Sequence, residues 1–145
     1  MRLDLGGRIN APCGYQTLDK IPPADIVLDL ESISPEDRAR YSGRFEEIRA
    51  HHVLEHINNL CPLMDTLWEW LEPNGILDIE VPAWPHPSAV HDPTHVRFFT
   101  ADTFSYFTWL KYFNYVEHFW EYAQKPEVCG ANKDCLSVKL KKVVG

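Results

Sequence analysis

The sequence lacks several features that would remove it from ordinary globular chemistry. No run of about 18 apolar residues occurs, so nothing reads as a membrane-spanning helix. The N-terminus enters a strand pattern directly, without a signal-peptide pattern. Positive charge is short: 14 Lys and Arg stand against 21 Asp and Glu, a net charge of −7. That balance argues against a broad phosphate-neutralising surface, and so against nucleic acid as a partner. The four cysteines, Cys13, Cys61, Cys129 and Cys135, contain no CxxC pair and no framework of the small secreted kind. Free thiols in a soluble, cytoplasmic protein are the plainer reading, although Cys129 and Cys135 could join if their strands pair. Glycine is scarce, 7 against 11 prolines, which predicts many fixed turns. No repeat, low-complexity tract or change of composition marks a second domain, so residues 1–145 are expected to form one.

What is present alternates between strand and helix patterns. Arg2 to Leu5, Gln16 to Leu18, Asp25 to Leu30, Phe45 to Ala50 and Gly75 to Val81 read as strands. Ser34-Pro35-Glu36-Asp37 has the cap, first-turn proline and early acids of a helix start, carried to about Tyr41. Ile57, Leu60, Leu63, Met64, Leu67, Trp68 and Leu71 recur at three and four residues, which predicts a helix from Ile57 until Pro73-Asn74-Gly75 stops it. Thr100 can cap a further helix to about Leu110. Tyr115 to Ala123 and Cys135 to Lys141 read as a closing hairpin, with Lys139, Lys141 and Lys142 at a solvated strand end. The pattern predicts an α/β fold: a minimal Rossmann-like, doubly wound, mostly parallel sheet with a C-terminal antiparallel hairpin. The segment between Gly6 and Gln16 is too short for a full crossover helix, so the first crossover is shortened.

Such sheets bind ligands at the carboxyl ends of their strands. Gly6 and Gly7 follow the first strand, where a sharp turn must let backbone approach a ligand. Asp19 ends the second strand, where an acid can take a ribose hydroxyl pair. Asp29, His51, His52 and the loop Ala83 to Arg97 also follow strands. That loop is rich in proline and histidine, and one so long inside a small domain is usually functional.

Leu3-Asp4-Leu5-Gly6, Asp19, Asp29-Leu30, His51-His52-Val53-Leu54-Glu55-His56-Ile57, Leu71-Glu72-Pro73-Asn74-Gly75-Ile76-Leu77 and Asp92-Pro93-Thr94-His95-Val96-Arg97-Phe98-Phe99 occur in this order. Together they resemble small, single-domain class I S-adenosylmethionine-dependent methyltransferases. The resemblance implies S-adenosyl-L-methionine as cofactor and methyl transfer to a small polar acceptor, such as a sugar or other metabolite. It implies that Asp4 and Gly6, with Gly7 and Arg8, form the cofactor turn. Asp19 would take the ribose, Asp29 and Leu30 would flank adenine, and Ala50 and His51 would line the methionine side. His91, Asp92 and His95 would serve the reaction from the acceptor loop, with His52, Trp84, Arg97 and Phe98 contacting the acceptor. Arg8 stands where the family has glycine, so it either clamps the cofactor carboxylate or obstructs the pocket. A second copy of the chain is a further expected partner, completing an open site.

Other readings compete. His52-Val53-Leu54-Glu55-His56 also fits H-x-x-E-H, the inverted zinc-protease pattern. At a strand-to-helix junction its two rings need not converge. His86, His91, Asp92 and His95 could hold a metal, but Asp92-Pro93-Thr94 also reads as a turn and cap, and no metal ligand is assigned. Trp68, Phe104, Phe107 and Trp109 read as core rather than as a cofactor box. A degenerate fold that binds without catalysis is the alternative function, and a different reaction on the same sulfonium is a third.

Overall fold

The computed structural model describes residues 1–7 and 10–145; Arg8 therefore lies outside the described residues. The strands are β1 (Arg2–Leu5), β2 (Tyr15–Asp19), β3 (Ile26–Val27), β4 (Phe45–His51), β5 (Leu71–Pro82), β6 (Glu121–Cys129) and β7 (Cys135–Lys141). Two α-helices, α1 (Pro35–Arg40) and α2 (Leu60–Trp70), flank β4 in sequence. The strands form one sheet in the order β3-β2-β1-β4-β5-β7-β6. Pairing is parallel from β3 to β5 and antiparallel where β7 inserts between β5 and β6. Only residues 6–14 link β1 to β2, which is the shortened first crossover.

Strand alternation gives the sheet two unlike faces. Leu3, Leu5, Ile48, Ala50, Leu77, Ile79 and Val81 are buried in one cluster with Leu63, Met64, Leu67 and Trp70 of α2. The other face carries Asp4, Arg49, His51, Asp78, Glu80 and Lys139, brought side by side by the register. Among the described residues, no helix is long and apolar enough to cross a membrane.

Several local expectations yield to distant partners. Helix α2 begins at Leu60 rather than Ile57, because Arg97 donates to the Ile57 and Asn58 carbonyls at 2.9 and 2.7 Å. Glu31 meanwhile accepts from the Asn58 and Asn59 N–H groups, so this backbone is already committed elsewhere. Residues 115–120 do not form a strand: the buried Asp65 of α2 takes the Glu117 and His118 N–H groups at 2.9 Å each. The last hairpin is therefore later than expected, turning at residues 130–134. Thr100 does cap a helix, but it is a 3₁₀ helix over Ala101–Phe107.

Three side-chain expectations are corrected. Cys129 and Cys135 are not free thiols; they face each other across β6 and β7 and form a disulfide. Lys142 is buried rather than solvated: its ammonium donates to the Leu71 carbonyl at 2.7 Å and lies over the Trp68 ring. Trp109 is exposed, whereas Phe104 and Phe107 are core as expected.

Candidate functional site

A crevice of about 380 Å³ opens at the carboxyl ends of β1 to β4. Gly6 contributes its floor. Leu18, Asp19 and Lys20 come from the end of β2, residues 28–31 from after β3, and His51, His52 and Val53 from the end of β4; His56, Ile57 and Asn58 complete the wall.

Each strand end supplies its residue for a local reason. Gly6 has φ of +71°, a left-handed conformation, and its N–H donates to the Leu18 carbonyl, locking the turn after β1 onto β2. A Cβ at Gly6 would lie 3.1 Å from Val53 Cγ2, a contact that would require Val53 to shift. Gly7 sits against Asp4, and any Cβ there would overlap the carboxylate. Asp4 is 1% exposed; Oδ1 accepts from Arg49 at 3.1 Å, while Oδ2 has no hydrogen-bond partner among the described residues. Burial pushes its carboxyl pKa up, with the Arg49 charge opposing that rise. Asp19 Oδ1 accepts from the Ile21 N–H at 2.9 Å, fixing the turn after β2. Asp29 Oδ1 does the same for Glu31 N–H.

The far wall is stitched by Glu31, whose carboxylate takes Asn58 Nδ2 at 2.7 Å and two backbone N–H groups. Burial alone would raise its pKa, but these donors prevail and hold it below the usual carboxylate range. On the opposite side His51 lies between Asp78 and Glu80, at 3.2 and 3.4 Å. Burial raises the Asp78 pKa, yet bonding to His51, with nearby Lys139 and Arg49, brings it below the ordinary value.

Among the residues anticipated from the sequence, Gly6, Asp19, Asp29, Leu30, His51 and His52 line this one crevice. Asp4, Gly7 and Ala50 stand behind its wall. His52, assigned to the acceptor side, faces the crevice with φ of +58° and reaches Glu80 at 3.3 Å. The loop residues His91, Asp92, His95, Trp84, Arg97 and Phe98 are not among its lining. Arg97 donates to the Ile57 and Asn58 carbonyls and so braces that wall. Trp84 and Phe98 stack with ring centroids 5.5 Å apart and are about half exposed, at 48% and 52%.

Sequence reasoning missed Lys20, Glu31, Val53, His56 and Asn58. Most follow directly on residues it found at strand ends. The Glu31–Asn58 bond joins positions 27 apart and left no local signal. His56 connects crevice and loop: its Nδ1 lies 3.0 Å from Thr94 Oγ1, and its ring meets the His95 ring edge-on at 5.0 Å.

Residues 7–118 match a family described as a methyltransferase domain. Solved structures share the fold. The N-methyltransferase NodS from Bradyrhizobium japonicum WM9, in complex with S-adenosyl-L-homocysteine, aligns with TM-score 0.61 at 15% identity, over 97% of this chain and 76% of that one. A 1,6-didemethyltoxoflavin-N1-methyltransferase from Burkholderia thailandensis, with its substrate and S-adenosylhomocysteine, aligns with TM-score 0.62 at 16% identity, over 99% and 71%. A 16S rRNA (adenine(1408)-N(1))-methyltransferase from Catenulisporales acidiphilia gives TM-score 0.62 at 12% identity, over 99% and 84%. Among curated protein sequences none matches this chain.

Proposed function

The chain belongs to the family of methyltransferase domains, and we propose that its crevice holds S-adenosylmethionine and that it transfers the methyl group to a small polar acceptor. The observation that carries this reading is the β1 turn: glycines at 6 and 7, a buried Asp4 with an unpartnered oxygen behind them, and Asp19 across the crevice. That donor set fits the cofactor. An orphaned carboxylate oxygen beneath a side-chain-free turn suits the cofactor's cationic amino-acid end, and an acid at the end of β2 suits a ribose diol. Leu18, Leu28, Leu30 and Ile57 supply apolar surface for adenine.

The bound cofactor supplies an electrophilic methyl group on a sulfonium. The chain's own contribution is alignment and exclusion of water, the effects that dominate an in-line displacement. His51 and His52 border the crevice on the side of the acceptor loop, and His51 is oriented by Asp78 and Glu80. The stacked Trp84 and Phe98 offer a half-exposed apolar surface for an acceptor ring. His91, Asp92 and His95 belong to the acceptor side in this reading, with His56 as their link to the crevice. The net charge of −7 supports a small acceptor over a nucleic acid.

Calorimetry with S-adenosylhomocysteine tests the cofactor assignment, and mass spectrometry of acceptor panels incubated with S-adenosylmethionine tests transfer. Absence of binding by wild-type protein would sink the reading. The nine-residue crossover at 6–14 favours the alternative of a binding protein without turnover. Binding with no methylated product over a broad panel of sugars and amines would support it.

A further inference from the structure

The polar face of the sheet continues past the crevice to the closing hairpin. Register sets Glu80 of β5 opposite Ser137 of β7, and Pro82 opposite Cys135. Residues two apart on a strand share a face, so Glu80 and Cys135 are diagonal neighbours on one side of the sheet. Cys129 of β6 lies directly across from Cys135. A carboxylate oxygen of Glu80 and the Sγ atoms of Cys129 and Cys135 consequently all lie within 4.8 Å of one another. Glu80 also lies 3.3 Å from His52 Nε2 and 3.4 Å from His51 Nδ1.

While the two sulfurs are joined they offer a metal nothing. The bond links positions only six apart, and so short a cross-link removes little freedom from the unfolded chain. The hairpin has its own supports: the β6–β7 pairing continues through Glu127, Val128 and Cys129, and the Lys133 N–H donates to the Gly130 carbonyl at 3.1 Å in the turn. Reduction therefore leaves the two sulfurs facing each other. Cys129 is partly exposed, beside an exposed turn at 130–133, so a reductant can reach it.

We propose that the reduced hairpin is a zinc site, with the Cys129 and Cys135 thiolates and the Glu80 carboxylate as ligands, opened by reduction of the disulfide and closed when it re-forms. A dithiol reductant supplies two electrons and two protons and leaves as its own disulfide, while the Cys129–Cys135 bond becomes two thiols. On loading, two sulfur–zinc bonds form and the two thiol protons pass to solvent. Paired thiolates select zinc over magnesium, calcium or manganese, and three protein ligands with one water make up its usual four.

Glu80 is the shared partner of His51 and His52, which border the crevice. Coordination draws that carboxylate away from both rings and so ties the state of the hairpin to the acceptor side of the crevice. That consequence, unlike the site itself, rests on the methyltransferase reading.

The test compares oxidised protein with protein reduced by a dithiol, the reductant then being removed by gel filtration without oxygen. Both are treated with chelator and dialysed against Zn²⁺, with bound metal measured by mass spectrometry. The reduced protein should take up one equivalent at micromolar free zinc and the oxidised protein none. Co²⁺ in place of Zn²⁺ should give the reduced protein thiolate-to-cobalt charge-transfer absorption. Glu80→Gln and Cys135→Ser should each weaken binding at least about tenfold, with circular dichroism confirming that they fold. Cys13→Ser/Cys61→Ser, which removes the two other cysteines, should bind as the wild type does. Failure of the reduced wild type to bind zinc, equal binding by the oxidised protein, undiminished binding in Glu80→Gln, or loss of binding in Cys13→Ser/Cys61→Ser would overturn the proposal. S-adenosylhomocysteine titrated into the metal-free oxidised protein reports on the cofactor crevice alone, which keeps the two failures distinguishable.

Discussion

Gly7 is folded directly onto Asp4: a Cβ at position 7 would occupy the space of the Asp4 carboxylate, which is buried and bonded through Oδ1 to Arg49. The glycine is therefore required by packing against its own strand.

Gly7→Ala should force the turn off Asp4. S-adenosylhomocysteine affinity is expected to fall at least about tenfold, or roughly 1.4 kcal/mol, with a lower melting midpoint. Calorimetry and thermal unfolding of both proteins would check this, and an unchanged dissociation constant would show that the turn does not touch the cofactor.

Asp19→Asn keeps an acceptor for the Ile21 N–H while removing the charge and one acceptor oxygen. Cofactor affinity should drop by about 1.5–3 kcal/mol, the range for hydrogen bonds to a charged group, at nearly wild-type stability. Equal affinities in side-by-side titrations would remove the ribose assignment.

Arg97→Ala tests a strut rather than a substrate contact. Its guanidinium holds the Ile57 and Asn58 carbonyls ahead of α2. Loss of these charge-assisted bonds should cost about 1–3 kcal/mol in urea denaturation and weaken cofactor binding together with stability. Wild-type stability combined with a raised acceptor KM would instead return Arg97 to the acceptor.

Glu69 gives a pH prediction with a definite sign. Arg38 donates to its carboxylate at 2.6 and 2.7 Å, and this bonding lowers its pKa from the ordinary 4.5. A depressed acid stabilises the fold above its unfolded pKa, and that contribution disappears as pH falls through the folded value. Both side chains are partly solvated, so Glu69→Gln should cost only about 0.5–1 kcal/mol near neutral pH. The difference should shrink steadily below pH 4.5. A gap that is constant over the acid range in urea titrations would mean that the ion pair does not carry the effect.

Local chemistry made much of the scaffold legible. The apolar strand running into Gly6-Gly7, the Ser34-Pro35 helix start and the alternation from Ile76 to Val81 each express a preference contained within a few residues. The observed β1, α1, β4 and β7 lie close to their expected bounds. Because a parallel sheet gathers its ligand residues at one edge, the same reading anticipated Gly6, Asp19, Asp29, Leu30, His51 and His52 in one crevice.

The tertiary structure decided what depends on partners far apart in the chain. Backbone donors and acceptors at 57–59 are taken by Arg97 and Glu31, and those at 117–118 by Asp65, at separations of 27 to 53 residues. Helical periodicity and strand propensity gave way there because charged side chains from distant segments, Arg97, Glu31 and the buried Asp65, claim those backbone groups first. The Cys129–Cys135 bond needed the register of β6 on β7. The contact of the His56 ring with the His95 ring needed the long loop to fold back toward the segment after β4. Sequence thus determined which residues end the strands and form the glycine turn after β1, since those are short-range properties of backbone and side chain. Only the folded chain determined which polar groups are buried without partners, since burial is set by everything packed around them.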